Sequence, residues 1–358
     1  MRDNAVTYSK AIAIILMVLG HACANTQIEV WVNMFHVPVF YFMSGYCFKE
    51  AYLNDFRHYS INRIKGLYWP FVKWGLFFLL IHNVLLSIGI YNNEIAWGGV
   101  KIDYYTPHDM IMQAIGIIFK ISCPERLLGG YWFLKTLLIG SFIFYLSLLT
   151  LKTFKPRGFN SKMSLFLLAS IIMLISCLMN FAALKLYIVN YQDSMAAFFI
   201  FIGYLYKRIS FSVDKHFVFL LLAFLLVTIG SIYWPGAAVG VKYQNQIPFM
   251  VTAVIGSMAI LGLCRMFEQS QFGYLRMTFN YIGNNTLTIL TWHFSTFVLV
   301  NYIIIKIYHL PLVKLAEFPV IFEYNTKGWI FIYCTMGMII PGAIAYMNRF
   351  IKSPLLKF

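Results

Sequence analysis

The chain has 358 residues, of which 60% are hydrophobic and only 11% are charged, and its mean hydropathy is +0.72. Soluble globular domains carry about 25% charged residues, so this composition excludes a soluble globule. The net charge of +15 would suggest a nucleic-acid partner for a soluble protein. In a membrane protein, the placement of the positive charges sets the orientation instead. We therefore predict an all-α, polytopic integral membrane protein that contacts the lipid bilayer and binds no nucleic acid.

Apolar runs long enough to cross about 30 Å of hydrocarbon occur about ten times along the chain. The predicted spans are 5–23, 33–48, 67–90, 130–151, 163–182, 194–206, 216–234, 246–265, 283–304 and 328–348. We see no internal repeat and no Ser- or Pro-rich linker, so the chain is predicted to be a single membrane domain over residues 1–358. The first run could also be a signal peptide cleaved after Ala22-Cys23-Ala24, but a histidine just before that site is atypical and further spans follow.

The distribution of Lys and Arg predicts the orientation of the spans. With the N-terminus inside, 17 of the 28 Lys and Arg residues fall on the cytoplasmic side and 8 on the opposite side, and three lie within spans. This bias predicts that both termini are cytoplasmic, which is consistent with an even number of spans.

Two histidines lie at the ends of apolar runs. His21 ends AIAIILMVLGH, and His36 comes at the start of FHVPVFYFMSGYCF. An imidazole is costly at such a position, so each histidine is a candidate functional residue. The alternative for either one alone is an interfacial histidine bonded to a nearby carbonyl. A third histidine, His293, lies near the middle of the ninth predicted span, where it needs a partner inside the bundle.

The longest predicted extramembrane stretch, 91–129, faces outward in this topology. Its polar residues include Glu94, Asp103, His108, Asp109 and Glu125. Within it, MIMQAIGIIFK indicates a short amphipathic or re-entrant helix, because loops of this length seldom lack structure of their own. The stretch suits a carbohydrate acceptor, although an ordinary solvated loop explains any single residue in it.

The cytoplasmic loop 49–66 is strongly basic just before the third span. Its basic residues are Lys49, Arg57, His58, Arg63 and Lys65. Positive-inside anchoring explains such a group. The alternative is binding of an anionic compound, because guanidinium groups grip phosphates bidentately.

The sequence does not indicate metal or nucleotide-loop chemistry. The six cysteines are scattered without paired spacing and resemble packing residues. His21 and His36 have no Glu or Cys at a spacing that completes a zinc site, so we predict no metal. There is also no Gly-rich phosphate loop and no Gly-x-Ser-x-Gly elbow.

Four motifs together resemble the membrane acyltransferase family 3. They are the Lys10–His21 run, FHVPVFYFMSGYCF followed by NRIKGLYWPF, GGYWFLKTLL at 129–138, and IGNNTLTILTWH at 282–293. The FH-x-P-x-F-x-F-x-SG form resembles the fucose 4-O-acetylase-like branch. The resemblance covers essentially the whole chain, with the motifs in the expected order.

The resemblance implies an enzyme that transfers acetyl or other short acyl groups from cytoplasmic acyl-CoA to sugars or other acceptors of cell-surface polymers. It implies an essential role for His21 and an association of Arg63 with the acyl donor. Two positions depart from the family pattern. Gly66 stands where a second arginine often follows, so Lys65 or Arg57 would supply that charge, and Thr7 stands where an aspartate often precedes Lys10.

Acyl transfer to a hydroxyl needs a base for the hydroxyl proton, and a neutral histidine suits this task. His21 is our candidate base, with a covalent acyl-histidine as the alternative. His36 is the second catalytic candidate, and it would orient His21, bind substrate or cap the second span. Lys10 lies eleven residues before His21, on the same helical face and about 16 Å away along the axis; it would contact the donor or snorkel to the headgroups.

The remaining candidates would line a pocket or passage. Pro38 and Ser44-Gly45 would either break the second helix and free backbone donors or form a simple packing kink. The other passage candidates are Trp132, Lys135 and His293. Lys135 could instead be paired with a carboxylate that the sequence does not reveal.

Two functions compete at this point. The first is an O-acyltransferase, most simply an O-acetyltransferase, that uses acetyl-CoA and modifies a surface polysaccharide or its lipid-linked precursor at a bacterial inner membrane. The second is a polysaccharide or sugar transporter with a non-catalytic path of His and Lys residues. Transporters often show inverted repeats, and we see none. A non-catalytic assembly scaffold is a third reading, and it gives no reason for His21 to lie in the motif.

Overall fold

The computed structural model of the protein describes residues 3–92, 102–154, 161–209, 216–269 and 271–355. Over this part of the chain it is 81% helical, without β-strands. The α-helices, in chain order, are α1 Asn4–Ala22, α2 Gln27–Asn33, α3 His36–Tyr46, α4 Phe56–Arg63, α5 Trp69–Ser87, α6 Pro107–Phe119, α7 Trp132–Phe154, α8 Lys162–Phe181, α9 Tyr191–Ile209, α10 Phe217–Tyr233, α11 Tyr243–Glu268, α12 Gly273–Asn284, α13 Thr286–Tyr308, α14 Phe322–Tyr324 and α15 Ile330–Leu355.

The helices confirm the predicted all-α membrane class. Each of the ten predicted spans coincides with one of them, usually within three residues at either end. By length and composition, six helices in the described part of the chain can cross a membrane, and they include α1, α8 and α13. The number of ten spans and the cytoplasmic placement of both termini stay predictions.

The second predicted span, 33–48, coincides with a short helix, α3, which is separated from α2 by a break at its start. Helix α2 ends at Asn33, and the backbone N–H groups of Met34 and Phe35 donate to carbonyls three residues earlier, which tightens the chain before α3 begins. Helix α3 has 11 residues, so it rises about 16 Å and is too short to cross the hydrocarbon alone. Pro38 lies in its first turn, where a backbone N–H has no intrahelical partner, so α3 runs unbroken through Pro38 and Gly45.

Contacts divide the chain into two compact units, and we describe each by itself. Unit 1 comprises residues 1–13, 30–70 and 133–283. Within it, α3 packs closely against α9 because glycines stand at the crossing. A Cβ atom on Gly45 would lie 1.8 Å from the carbonyl oxygen of Ile200, and one on Gly203 would lie 2.0 Å from that of Phe42. Only glycine permits this backbone approach, which is typical of membrane helix pairs.

Unit 2 comprises residues 14–29, 71–132 and 284–358. Its principal helix pair is α13 with α15. A 3₁₀ turn, Arg126–Tyr131, packs against α13, and a Cβ atom on Gly130 would lie 2.8 Å from Leu290 Cδ1. The Tyr131 and Thr291 hydroxyls lie 2.7 Å apart across this contact. The turn therefore covers the first half of α13, where His293 lies.

Large apolar side chains cover much of the exposed surface of the long helices. On α8, for example, Leu167, Ile171, Leu174 and Leu178 are all exposed and lie at helical spacing on one face. Such a face would be unfavourable in water and suits contact with lipid chains. It gives α8 the character of a lipid-facing helix.

Candidate active site

His21 lies in the last turn of α1 and is half-buried within unit 2. The ring of His293, from α13, stacks against it with a centroid separation of 5.4 Å and an interplanar angle of 23°. Two histidines from opposite ends of the chain thus form one pair. The sequence analysis had singled out both residues without a reason to place them together.

His293 is held in one orientation by its own helix. Its Nδ1 lies 3.1 Å from the carbonyl oxygen of Ile289 and 3.0 Å from that of Leu290. Since a carbonyl only accepts, Nδ1 carries the hydrogen, and Nε2 carries the lone pair of a neutral ring. The side chain is fully buried, and Nε2 has no hydrogen-bond partner in the described structure. A buried acceptor without a partner costs about 1–3 kcal/mol and calls for an explanation.

The Phe294 ring packs against the imidazole rings of both His21 and His293. Its ring centroid lies 4.7 Å from that of His21 and 3.9 Å from that of His293. The ring centroid of Phe318 lies 4.6 Å from that of Phe294. A Cβ atom on Gly129 would be in van der Waals contact with both phenylalanines. The turn Arg126–Tyr131 therefore rests on the rings that position the histidine pair.

Phe294, Phe318 and Tyr131 belong to this site but were not predicted from the sequence. Phe294 directly follows His293, and Tyr131 stands within the GGYWFLKTLL motif, so the signal was present in the sequence. An aromatic residue in a membrane span is common, however, and its sequence position does not show which ring it contacts. Trp132 follows this turn as the first residue of α7 and is half-buried.

A buried polar network in unit 2 holds the described residues of the stretch 91–129 against α5. Nδ1 of His82 lies 3.1 and 3.2 Å from the two carboxylate oxygens of Glu125, and its Nε2 lies 3.1 Å from the carbonyl oxygen of Asp103. The Tyr91 hydroxyl donates to Glu125 at 3.2 Å, and the ring of Tyr105 stacks on His82 at 3.8 Å. Glu125 is thus a buried structural residue and differs from the solvated loop residue that the sequence suggested.

Within the same stretch, α6 is the short helix that the sequence predicted. Thr106 and Asp109 make a capping box at the start of α6, and their hydrogen bonds hold the pKa of the Asp109 carboxyl below its usual range. Because that pKa is depressed, the cap stabilises the helix above the unfolded pKa and is lost as the pH falls through the folded one. His108 is exposed beside it, and Glu94 lies outside the described residues.

His36 belongs to unit 1 and is the first residue of α3. It is buried, and its Nδ1 donates to the carbonyl oxygen of Val32 at 2.9 Å. This bond joins the end of α2 to the start of α3. It supports the capping role among the three that the sequence left open for His36.

Lys135 and Ser44, two passage candidates, also lie in unit 1. The Lys135 ammonium group is 3.4 Å from Oδ2 of Asp193, which is fully buried. The carboxylate partner that the sequence did not reveal is therefore Asp193, in the first turn of α9. Ser44 lies on α3, and its buried hydroxyl has no hydrogen-bond partner in the described structure.

The donor candidates converge only in part. Lys10 and Arg63 both lie close enough to Cys47 to act electrostatically on its thiol, and so does Lys207, which the sequence analysis did not single out. The guanidinium of Arg63 also lies 5.1 Å from the centre of the Tyr59 ring. Arg57 and Lys65 are exposed, on α4 and just after it. Of the basic groups in unit 1, Lys10, Arg63 and Lys207 thus lie near the end of α3.

Comparison with known protein families decides the identity of the chain at the level of the family. The family model of the acyltransferase domain called acyltransferase family 3 matches residues 3–353. The chain belongs to acyltransferase family 3. It is thus a multi-pass membrane acyltransferase. Comparisons of this acyltransferase with curated proteins and with solved structures gave no match.

Proposed function

We propose that this acyltransferase moves an acyl group, most simply acetyl, from acyl-CoA to a hydroxyl of a carbohydrate. The acceptor in this proposal is a surface polysaccharide or its lipid-linked precursor at a bacterial inner membrane, as for the fucose 4-O-acetylase-like branch. The observation that carries the proposal is the stacked pair of His21 and His293 inside unit 2.

In the proposed reaction, His21 is the general base. The acceptor hydroxyl gives its proton to the neutral imidazole of His21 as its oxygen attacks the thioester carbonyl carbon. The C–S bond then breaks, and the CoA thiolate leaves and receives the proton from the His21 imidazolium. An ordinary histidine titrates near pH 6.5, so its neutral form is available as a base near neutral pH. A thiol titrates near 8.5, so the return of the proton from the imidazolium to the thiolate is favourable.

His293 and Phe294 support this role by fixing the His21 ring. A base must lie within hydrogen-bond distance of the proton that it removes, so the orientation of its ring is as important as its charge. His293 cannot turn freely, because its Nδ1–H is bonded to Ile289 and Leu290. The Phe294 ring also packs against both imidazoles. Together they leave His21 little freedom to rotate.

The donor side of the proposal rests on the basic groups of unit 1. CoA carries several phosphate groups, and Lys10, Arg63 and Lys207 gather at Cys47. A donor held by its phosphates needs such a cationic surface.

The test is His21→Ala, with His216→Ala as the control because His216 is an exposed histidine before α10. Membranes that contain each variant receive radiolabelled acetyl-CoA, and the surface polysaccharide of intact cells is examined by NMR for O-acyl signals. We expect His21→Ala to lose about 10²–10⁴-fold of the transfer rate, the range for removal of a general base. The control should transfer at the wild-type rate.

Near-normal transfer by His21→Ala would refute the role of His21. Unchanged O-acylation of the polysaccharide after deletion of the protein would refute the function itself and leave transport as the better explanation. In the alternative case, acetyl-CoA labels the protein when no acceptor is present and does not label the His21→Ala variant. That result would show that His21 forms a covalent acyl-histidine and is not a general base.

A further inference from the structure

His82 lies near the end of α5, and both of its ring nitrogens face hydrogen-bond acceptors. Nδ1 lies 3.1 and 3.2 Å from the carboxylate oxygens of Glu125, and Nε2 lies 3.1 Å from the carbonyl oxygen of Asp103. A carboxylate and a carbonyl only accept, so both nitrogens carry a hydrogen and His82 is an imidazolium. Moving the shared proton onto Glu125 would leave the same total. The contacts therefore depend on one proton that is bound by the pair.

Loss of that proton breaks this arrangement. A neutral imidazole donates from one nitrogen only, so the other nitrogen of His82 would turn a lone pair towards an acceptor. Glu125 is buried, and it would keep its charge without the imidazolium beside it, which is strongly unfavourable. The hydrogen bonds are thus present while the pair holds its proton, and they are lost as the pH rises through the value at which the proton leaves.

The tyrosines and the thiol around this pair keep their protons in the range where a histidine titrates. Burial raises the pKa of Tyr105, whose ring stacks on His82 at 3.8 Å, to about 12. Burial also raises the pKa of Cys123 to about 12, and it raises the pKa of Tyr91 well above its usual value. An ordinary histidine titrates near pH 6.5. The further charged residues near this group are Asp103, Asp109 and Arg126.

Glu125 connects the pair to the turn Arg126–Tyr131. The Tyr91 hydroxyl donates to Glu125 at 3.2 Å and accepts from the backbone N–H of Leu127, in the turn, at 3.3 Å. Tyr91 is fully buried, so its hydroxyl has a fixed position between the carboxylate and the turn. Release of Glu125 therefore loosens the start of the turn.

The far end of the turn contacts the part of α13 that carries the histidine pair. A Cβ atom on Gly129 would lie 3.4 Å from the Phe294 ring, and that ring packs against both imidazoles of the pair. The Tyr131 hydroxyl lies 2.7 Å from that of Thr291, two residues before His293. A change in the turn is thus transmitted to the rings that fix the proposed base.

We propose that His82 and Glu125 form a pH-sensitive latch that holds the turn Arg126–Tyr131 against α13, and that acyl transfer falls at alkaline pH because the latch opens. The second part rests on the proposed function, and the first part does not. In the predicted orientation the latch lies towards the outer side of the membrane, so it would follow the external pH.

Amide hydrogen exchange of the full-length protein in detergent tests the latch without a measurement of activity. The Tyr105 N–H donates to Oδ1 of Asn83 at 2.9 Å, beside His82, so exchange of residues 102–106 reports whether the latch is closed. After correction for the intrinsic effect of pH on exchange, we expect protection to fall at least about tenfold from about pH 6 to about pH 9. His82→Gln should show low protection without this fall. The control is His108→Ala, which removes an exposed histidine of the same stretch and should behave as the wild type.

Acyl transfer from radiolabelled acetyl-CoA over the same pH range tests the coupling to the site. Transfer should rise as His21 becomes neutral and then fall at least about threefold towards about pH 9. Return to about pH 7 should restore the rate, which separates latch opening from denaturation. The double variant His82→Gln, Glu125→Gln carries neither group of the latch. It should lack the alkaline fall, although its rate is lower throughout.

Each measurement has an outcome that overturns the proposal. Protection that does not change with pH in the wild type would refute the latch, whether or not His82→Gln folds. A fall that persists in His82→Gln would belong to another group and would refute the role of His82. Protection that falls while transfer stays constant to about pH 9 would refute the coupling to the histidine pair. If the wild type transfers no acyl group at any pH, the proposed function fails, and the exchange measurement still decides the latch.

Discussion

At the scale of single residues, His293 shows how a buried polar atom can indicate function. Its Nδ1–H is bonded to the backbone, whereas its Nε2 has no hydrogen-bond partner in the described structure. Natural proteins keep such unsatisfied groups rarely, and often where activity requires them. In the proposed reaction, the activity that requires His293 is the positioning of the neighbouring His21 ring.

We therefore expect His293→Phe to separate stability from activity. The phenyl ring removes the unsatisfied nitrogen from an apolar site, so the thermal midpoint in detergent should stay the same or rise. Acyl transfer should fall at least about tenfold, because the His21 ring loses the neighbour that fixes it. Differential scanning fluorimetry and the labelled-acetate assay measure the two effects, and a destabilised variant with normal transfer would contradict this view of His293.

At the scale of elements, the crossing of α3 and α9 depends on two glycines. The sequence indicated that Gly45 either takes part in a helix break or allows close approach. Helix α3 is unbroken and lies against the backbone of Ile200. The geometry supports a close approach of the two helices. A Cβ atom on Gly45 would meet a backbone carbonyl of the facing helix, and a backbone carbonyl cannot rotate away as a side chain would.

Gly203→Ala should consequently destabilise unit 1. The new methyl group would meet the carbonyl oxygen of Phe42 at 2.0 Å, so α3 and α9 must move apart, at a cost of about 1–3 kcal/mol. Gly273→Ala is the matched control, because nothing lies within 4 Å of its Cβ position. Thermal unfolding in detergent should show a lower midpoint for Gly203→Ala only; equal midpoints for the two variants would contradict the close crossing.

At the scale of the whole molecule, buried polar contacts join segments that are distant in the chain. In unit 2, His82 from α5 links Glu125 and the backbone of Asp103, and Glu125 also accepts from Tyr91. Glu125 directly precedes the turn Arg126–Tyr131, which packs on α13. The contact between His82 and Glu125 thus connects α5 and Asp103 to the turn that rests on the histidine pair.

Glu125→Gln should lower the thermal midpoint, because removing one partner of a buried ion pair costs about 3–5 kcal/mol. The double variant His82→Gln, Glu125→Gln should recover part of that loss, since no charge then remains buried without its partner. A double-mutant cycle on the unfolding free energies measures the coupling. Simple additivity of the two changes would show that the pair contributes nothing as a pair.

The sequence predicted most of the fold because hydropathy is a local property. Ten apolar runs coincide with helices, and the amphipathic run after Pro107 forms α6 as expected. It did not predict α12, Gly273–Asn284, since that helix is too polar to give a hydropathy signal. The sequence also did not predict α2, which ends just before the second span, at Asn33.

The sequence by itself determined the membrane class, the family motifs and the individual candidates His21, His293, Lys10 and Arg63. Only the tertiary structure decided that His21 stacks on His293 and that Lys135 pairs with Asp193. The reason is physical. Helix formation and membrane insertion follow from neighbouring residues, whereas these contacts depend on which helix faces pack together, and that is set by shape and close approach along the whole chain.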